Sequence, residues 1–430
     1  MEGKEAAELA LKAMKNAGSD KAVATVRIGE VTELNIEGGK ITLLRSTFNT
    51  NVGLKALAAG RKGTTSINKI DPDSIQTAAE QAVAMAASSE VDPANEISEK
   101  QQPDEFICGV HTPDLDLMYD RLEEFRDSVH TTYPDTILEQ SILKFRTGES
   151  WFLNSNGVAF KTKRGHYEFS AMFSTKKNGK TSSFNSSGYT ADDLDTPLLK
   201  RGSIDTLIQQ STEQTDTGHP EGKFIGDIIV TPDSLMSVLR FLTGSISDIP
   251  LITGTSAYKD SMGKEIASRK LTLHSSPTSD ELVSKYFITG DGYPAANCTI
   301  VERGVLSSFL LSLYGARKTG LERSPSSGGC YIVGPGACSF DELVKSVKHG
   351  VLVCRISGGH PGNNGDFSAI AKNSYLIKNG EIAQPLSETM ISGNMVSMLR
   401  EIRGVSSERV NFGHSLLPWV RFTGVTISGK

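Results

Sequence analysis

The chain has 430 residues, a formal net charge of −5 and a hydrophobic fraction of 38%. That length exceeds what one hydrophobic core ordinarily serves, so two domains are expected. The slightly acidic, sign-mixed charge lacks the basic face of a general nucleic-acid binder, and no apolar run approaches bilayer length.

The first eighteen residues lack the apolar core and cleavage site of a signal peptide. They read as an amphipathic helix with Ala6, Leu9, Ala13 and Met14 inward. Residues 22–68 alternate in the strand manner and predict a small antiparallel set. Asp71-Pro72 then starts a helix, Asp as cap and Pro at the first helical position, with Ile75, Ala78, Ala79, Ala82, Val83 and Ala86 on one stripe. Residues 88–113 read as a connection. Met118, Leu122, Phe125 and Val129 mark another helix. From Ile137 to Tyr189 the pattern becomes a meander, with Asn156-Gly157 and Asn178-Gly179 as hairpin turns.

Residues 192–210 read as helical, and 211–223 as the least structured stretch, hence a domain boundary and the expected first site of proteolysis. A strand from Phe224 to Val230 follows. Thr231-Pro232 then caps a helix whose inward face is Leu235, Val238, Leu239 and Leu242. The rest is mostly β-structure. Ser339 and Glu342 form a capping-box signature, Gly350 ends that helix, and Val351 to Cys354 read as a buried strand. Asn379-Gly380 turns a hairpin, and a helix runs from Met395 to Ile402. The fold class expected is α+β in two domains. Residues 1–215 form a mixed N-terminal domain with small antiparallel sheets and helices (sub-segments about 1–90 and 114–210). Residues 222–430 form a mainly antiparallel β domain.

The five cysteines (Cys108, Cys298, Cys330, Cys338, Cys354) are odd in number and thinly spread. They read as reduced, mostly buried thiols of a cytoplasmic protein, not as a disulfide framework or a zinc site, which would use closely paired cysteines. Ser-x-x-Lys motifs at Ser174, Ser256 and Ser261 lack the companion motifs of a serine hydrolase, and Gly334-Pro-Gly336 is a turn rather than a dinucleotide fingerprint.

Several words in a fixed order carry more information than any one of them. They are Pro335-Gly336, Ser339-Phe-Asp-Glu-Leu343, Gly365-Asp-Phe-Ser368, Ile377-Lys-Asn-Gly-Glu-Ile382, Pro385 and Ile391-Ser-Gly-Asn394. Upstream stand Ile300-Val-Glu-Arg-Gly-Val-Leu306 and Tyr314-Gly-Ala-Arg-Lys318. This set resembles the PmbA/TldD family, known also as "modulator of DNA gyrase". The resemblance implies a pair of subunit kinds: a zinc peptidase with a His-Glu-x-x-x-His helix and a further C-terminal ligand, and a partner without the motif. None of the eight histidines here is followed by Glu, and no two lie within five residues. Aligned on Leu242-Thr-Gly244, the motif positions carry Leu235, Met236 and Arg240, which is no zinc donor set. His414 stands near the position of the extra ligand, and Trp419 and Phe422 are expected to pack.

The chain is thus placed in the PmbA/TldE-like branch. It is expected to be the non-metal partner of a TldD-type cytoplasmic zinc metallopeptidase that degrades unfolded peptides or matures peptide precursors. No cofactor and no catalytic residue are assigned to it. The glycine-rich loop Gly358, Gly359, His360, Asn363, Asn364, Gly365, Asp366 is the candidate substrate groove, because exposed backbone amides can hold a peptide or a carboxylate. Alternative readings are a stand-alone homo-oligomeric peptide binder, a metal-free hydrolase and a gyrase regulator.

Overall fold

The computed structural model describes residues 1–429; Lys430, the last residue of the expected C-terminal domain, lies outside them. Helix α1 (Gly3–Asn16) precedes three strands, β1 (Lys21–Glu37), β2 (Lys40–Ala58) and β3 (Arg61–Ile67), and helix α2 (Pro72–Ser88). Then come β4 (Asp104–Cys108), α3 (Leu115–Thr132), β5 (Thr136–Asn154), β6 (Ala159–Lys177), β7 (Lys180–Thr181), β8 (Asn185–Ala191) and α4 (Ile204–Glu213).

These strands form one eight-stranded sheet in the order β3-β2-β1-β5-β6-β4, with β7 and β8 also on β6. The two expected sub-segments therefore share a sheet. β1 pairs with β5 in antiparallel register from Val23–Asn154 to Glu37–Gln140. The reason is hydrogen-bond capacity. A hairpin of strands this long leaves a row of unpaired N–H and C=O groups along β1, and β5 satisfies them.

Side-chain alternation splits the sheet into two faces. On one, Ala24, Val26 and Leu54 pack with α1 and α2, while Leu143, Phe145, Tyr167 and Phe169 pack with Met118, Leu122, Phe125 and Val129 of α3. All four of those α3 residues are buried, as the helical spacing predicts.

The expected connection 88–113 is not plain loop. It contains β4, parallel to β6, and it bonds the second domain: the Tyr314 hydroxyl donates to Asp92 and the Tyr293 hydroxyl to Glu99. Residues 192–210 are only partly helical, with a single 3₁₀ turn at Leu198–Lys200 before α4. Pro197 disfavours helix in the residue before it, and Gly202 takes a left-handed φ of 62°. Nor is 211–223 structureless. α4 takes its first three residues, Gln214 is buried and donates to the Ser374 carbonyl at 2.9 Å, and the Gly218 amide donates to Pro385 O at 2.9 Å.

The second half opens with β9 (Lys223–Val230) and α5 (Pro232–Ser245). Its thirteen-stranded sheet is mostly antiparallel, with parallel pairings between β9 and His349–Val353 and between Tyr331–Val333 and Ser415–Ser428. This is the expected α+β architecture with an N-terminal and a C-terminal domain. Leu235, Val238, Leu239 and Leu242 of α5 enter the large core beneath that sheet. Thr231 does not cap α5 with its side chain; its hydroxyl donates to Cys354 O, as does that of Ser234. The Ser339–Glu342 capping box is present, but its helix ends at Lys345. Gly350 sits inside the next strand, where a Cβ would come within 2.3 Å of the Asp227 carbonyl on β9. The helix after Asn394 runs Met395–Arg400.

Candidate functional site

The positions singled out in the sequence lie chiefly on α5 and on the loop Gly358 to Asp366, whose flanking strands share a core with α5 through Ile356, Phe367 and Ala369. Leu235 is 1% exposed in the core, Met236 is partly buried against the same core, and Arg240 is exposed. A hydrocarbon, a thioether and a cation do not form a zinc site, which needs imidazole, thiolate or carboxylate donors. Among the described residues no group of three or more His, Cys, Asp or Glu side chains is placed to hold a metal ion. Cys354 is buried and the other four cysteines are partly buried, so "mostly buried" overstates their seclusion; all five are free. Burial pushes the Cys330 thiol up to about 11. Trp419 packs on Phe340, with ring centroids 5.3 Å apart, and Phe422 is buried. His414 is exposed, beside the Phe412 ring.

The loop Gly358 to Asp366 joins the strands Arg355–Ser357 and Asp366–Lys372. Gly358, His360, Asn363, Asn364 and Asp366 are exposed, and Gly365 is buried. Asn364 and Asp366 bond each other and Asn394, while His360 and Asn363 face solvent. Asn364 Nδ2 donates to Asp366 Oδ2 at 2.7 Å, and Asn394 Nδ2 donates to Asp366 Oδ1 at 2.8 Å and to Asn364 O at 2.9 Å. Asn394 in turn caps the helix Met395–Arg400. Gly359 has a steric reason to be glycine, since a Cβ there would meet Ser368 O at 2.3 Å. None of these seven residues lines the cleft described next.

That cleft, of about 780 Å³, lies on the helix-free face of the N-terminal sheet and is bordered on the other side by residues 285–290 of the C-terminal domain. Its floor is set by strand register. Gly29 on β1 stands opposite Gly148 on β5, which stands opposite Arg164 on β6; Asn49 on β2 ends the row. The next row on one side is Thr47, Val31, Arg146, His166, and on the other Asn51, Arg27, Ser150, Thr162. Two adjacent glycines thus leave bare backbone in the middle of a grid of polar side chains. A Cβ on Gly148 would meet Ile28 O at 2.7 Å and Gly29 Cα at 3.0 Å.

Charge on this face is unevenly paired. Arg146 Nε donates to Glu168 Oε2 at 2.7 Å, and His166 Nε2 lies 3.1 Å from Glu168 Oε1. Burial raises the Glu168 carboxyl, but the hydrogen bonds from His166 and Arg146 outweigh it and hold the group down at about 2. Arg164 donates from Nη1 to the Lys285 carbonyl at 2.8 Å, tying the floor to the far wall, and Phe106 stacks on Phe287 at 5.0 Å beside it. Lys285 is matched by Asp280 at 2.6 Å. The sequence reading passed over all of these residues. The available signal was two glycines inside long alternating strands, which marks a close backbone approach, next to Arg164-x-His166-x-Glu168 on one face.

Comparison with known proteins accounts for most of the chain. Residues 222–429 match the family model of the PmbA/TldA metallopeptidase C-terminal domain, and residues 23–86 that of PmbA/TldA metallopeptidase domain 1. A metalloprotease of Methanothermobacter thermautotrophicus is 32% identical over 231 residues, spanning 49% of this chain and 50% of that protein. The metalloprotease PmbA of Escherichia coli O157:H7 is 24% identical over 427 residues, 93% of this chain and 92% of that one. The crystal structure of TldE from Thermococcus kodakarensis shares the fold, with a TM-score of 0.85 at 18% identity over 99% of this chain and 100% of that one. With both matched domains in their places and the likeness to PmbA running nearly end to end, the chain belongs to the PmbA/TldD family of metallopeptidase-related proteins.

Proposed function

We propose that this chain is the non-metal partner subunit of a TldD-type zinc metallopeptidase and that it helps hold extended peptides for cleavage. The observation that carries this reading is the chemistry of α5. Where the resemblance places two His ligands and a Glu, the helix offers Leu235, Met236 and Arg240, and Leu235 is committed to the core. Catalysis by zinc needs three protein ligands, an open position for water and a carboxylate to take the proton; α5 carries no His or Cys, and its one carboxylate, Asp233, accepts a hydrogen bond from the Ser187 hydroxyl at 2.9 Å. The peptide role rests on family membership and on the long helix-free sheet face beside a cleft large enough for several residues of extended chain. Proteolysis of unfolded peptides or maturation of peptide precursors, in the cytoplasm, is the activity we assign to the pair. Five free thiols fit a reducing compartment, and among the described residues no helix is long and apolar enough to cross a membrane.

The test is reconstitution. The purified chain is mixed with a family member that carries His-Glu-x-x-x-His. Light scattering reads the assembly and a fluorogenic unfolded peptide reads cleavage. A heteromer with chelator-sensitive turnover, absent from this chain alone, is expected. A chain that stays homo-oligomeric and leaves the mixture inert, yet binds peptides, would replace this reading with the stand-alone peptide binder.

A further inference from the structure

We propose that the glycine-floored cleft is an oxyanion-binding site, in which Arg27 and Arg164 grip a carboxylate or phosphate group over Gly29 and Gly148. Three observations converge on it. The first is unpaired positive charge. Arg27 has no ion-pair or hydrogen-bond partner among the described residues, and Arg164 bonds only a backbone carbonyl while its Nε is buried without a partner. A buried donor left unpaired costs free energy that an anion would recover. The second is where the two stand. Arg27 lies on β1 and Arg164 on β6, one on each side of β5 and offset by two residues. Strand spacing puts their Cα atoms about 12 Å apart, so two extended guanidinium groups can meet one ligand between them. The third is the bare floor. With no side chain at Gly29 or Gly148, a ligand can sit against the sheet itself.

The competing charges on this face are already engaged. Glu168 is held by Arg146 and His166, and Lys285 is matched by Asp280. Glu30 and Glu149 also border the cleft, but strand alternation assigns them to the helix-covered face, where Glu149 pairs with Lys161 and Lys163. What remains for a ligand is a pair of uncompensated guanidinium groups, the planar fork that suits carboxylate and phosphate oxygens. The site stands on these residues whether or not a metal-bearing partner exists.

The experiment is titration calorimetry on the whole chain at low salt with three probes: trialanine as free acid, the same peptide as C-terminal amide, and inorganic phosphate. If the anion is a peptide carboxylate, the free acid binds at least about tenfold more tightly than the amide, a difference of about 1.4 kcal/mol. If it is a phosphate, phosphate binds and the two peptides do not differ. In either case Arg27→Gln weakens binding about tenfold or more while thermal unfolding stays unchanged, and Arg164→Gln does the same to binding. No heat with the free acid or with phosphate, or binding untouched by Arg27→Gln, overturns the proposal.

Discussion

The two faces of the N-terminal sheet are made by the same strands, residue by alternating residue, and they have opposite fates. One carries Phe145, Tyr167 and Phe169 into a core closed by α3. The other carries Arg146, Arg164, His166 and Glu168 and stays free of helices, with a cleft where the C-terminal domain approaches. The lesson is one of division of labour. A strand buried on one face for stability leaves its other face free for binding, so substitutions two residues apart share a fate while neighbours do not.

The difference is broken most severely from the covered side. Phe169 is buried and meets Phe125 edge-on, with ring centroids 4.9 Å apart. Phe169→Ala is expected to cost about 3–5 kcal/mol, read as a shift in the denaturant midpoint at constant slope. A loss under about 1 kcal/mol would mean that α3 does not close this face. The same reasoning carries to the C-terminal domain, where Leu235→Ala, deep in the core of α5, should cost about 2–5 kcal/mol. A neutral result there would contradict the core assignment of α5.

Polar stabilisation on the open face is smaller and depends on pH. The folded-state Glu168 carboxyl is held at about 2, below an ordinary value of about 4.3. Its contribution is therefore complete above roughly pH 4.5 and is lost as the pH falls toward 2. Glu168 is about one-third exposed, so the effect is on the order of 2 kcal/mol after allowing for solvent screening. Glu168→Gln should lower stability at pH 7 by that amount, and the gap to the parent should close between pH 4.5 and 2. A gap independent of pH would show that the charge is not what matters. The smallest effect is expected at Arg27. It is exposed and has no bonding partner among the described residues, so Arg27→Gln should change stability by no more than about 0.5 kcal/mol.

Much of the covered face is legible in the sequence. The stripe Met118, Leu122, Phe125, Val129 and the cap-plus-proline start of α2 are local patterns, and local physics decides them. The union of β1 with β5 is not legible, because more than a hundred residues separate the partners and pairing is settled by long-range closure. The cleft was missed for a related reason. Gly29, Gly148 and Arg164 form a row only once the register is known. The loop at Gly358 stood out because its glycines are consecutive; in the structure Asn364, Asp366 and Asn394 bond one another there, and Asn394 caps the following helix. The side-chain chemistry at Leu235, Met236 and Arg240, by contrast, needed no structure. Leu235, Met236 and Arg240 lack zinc chemistry wherever they lie.

The central claim is that zinc and catalysis belong to a partner, and metal analysis of this chain tests it most directly. The protein is purified alone, equilibrated with zinc, dialysed, and assayed for bound metal and for hydrolysis of an unfolded peptide. Well under one zinc per chain and no turnover are expected, because α5 offers no donor set. One zinc retained per chain together with chelator-sensitive cleavage would contradict the account.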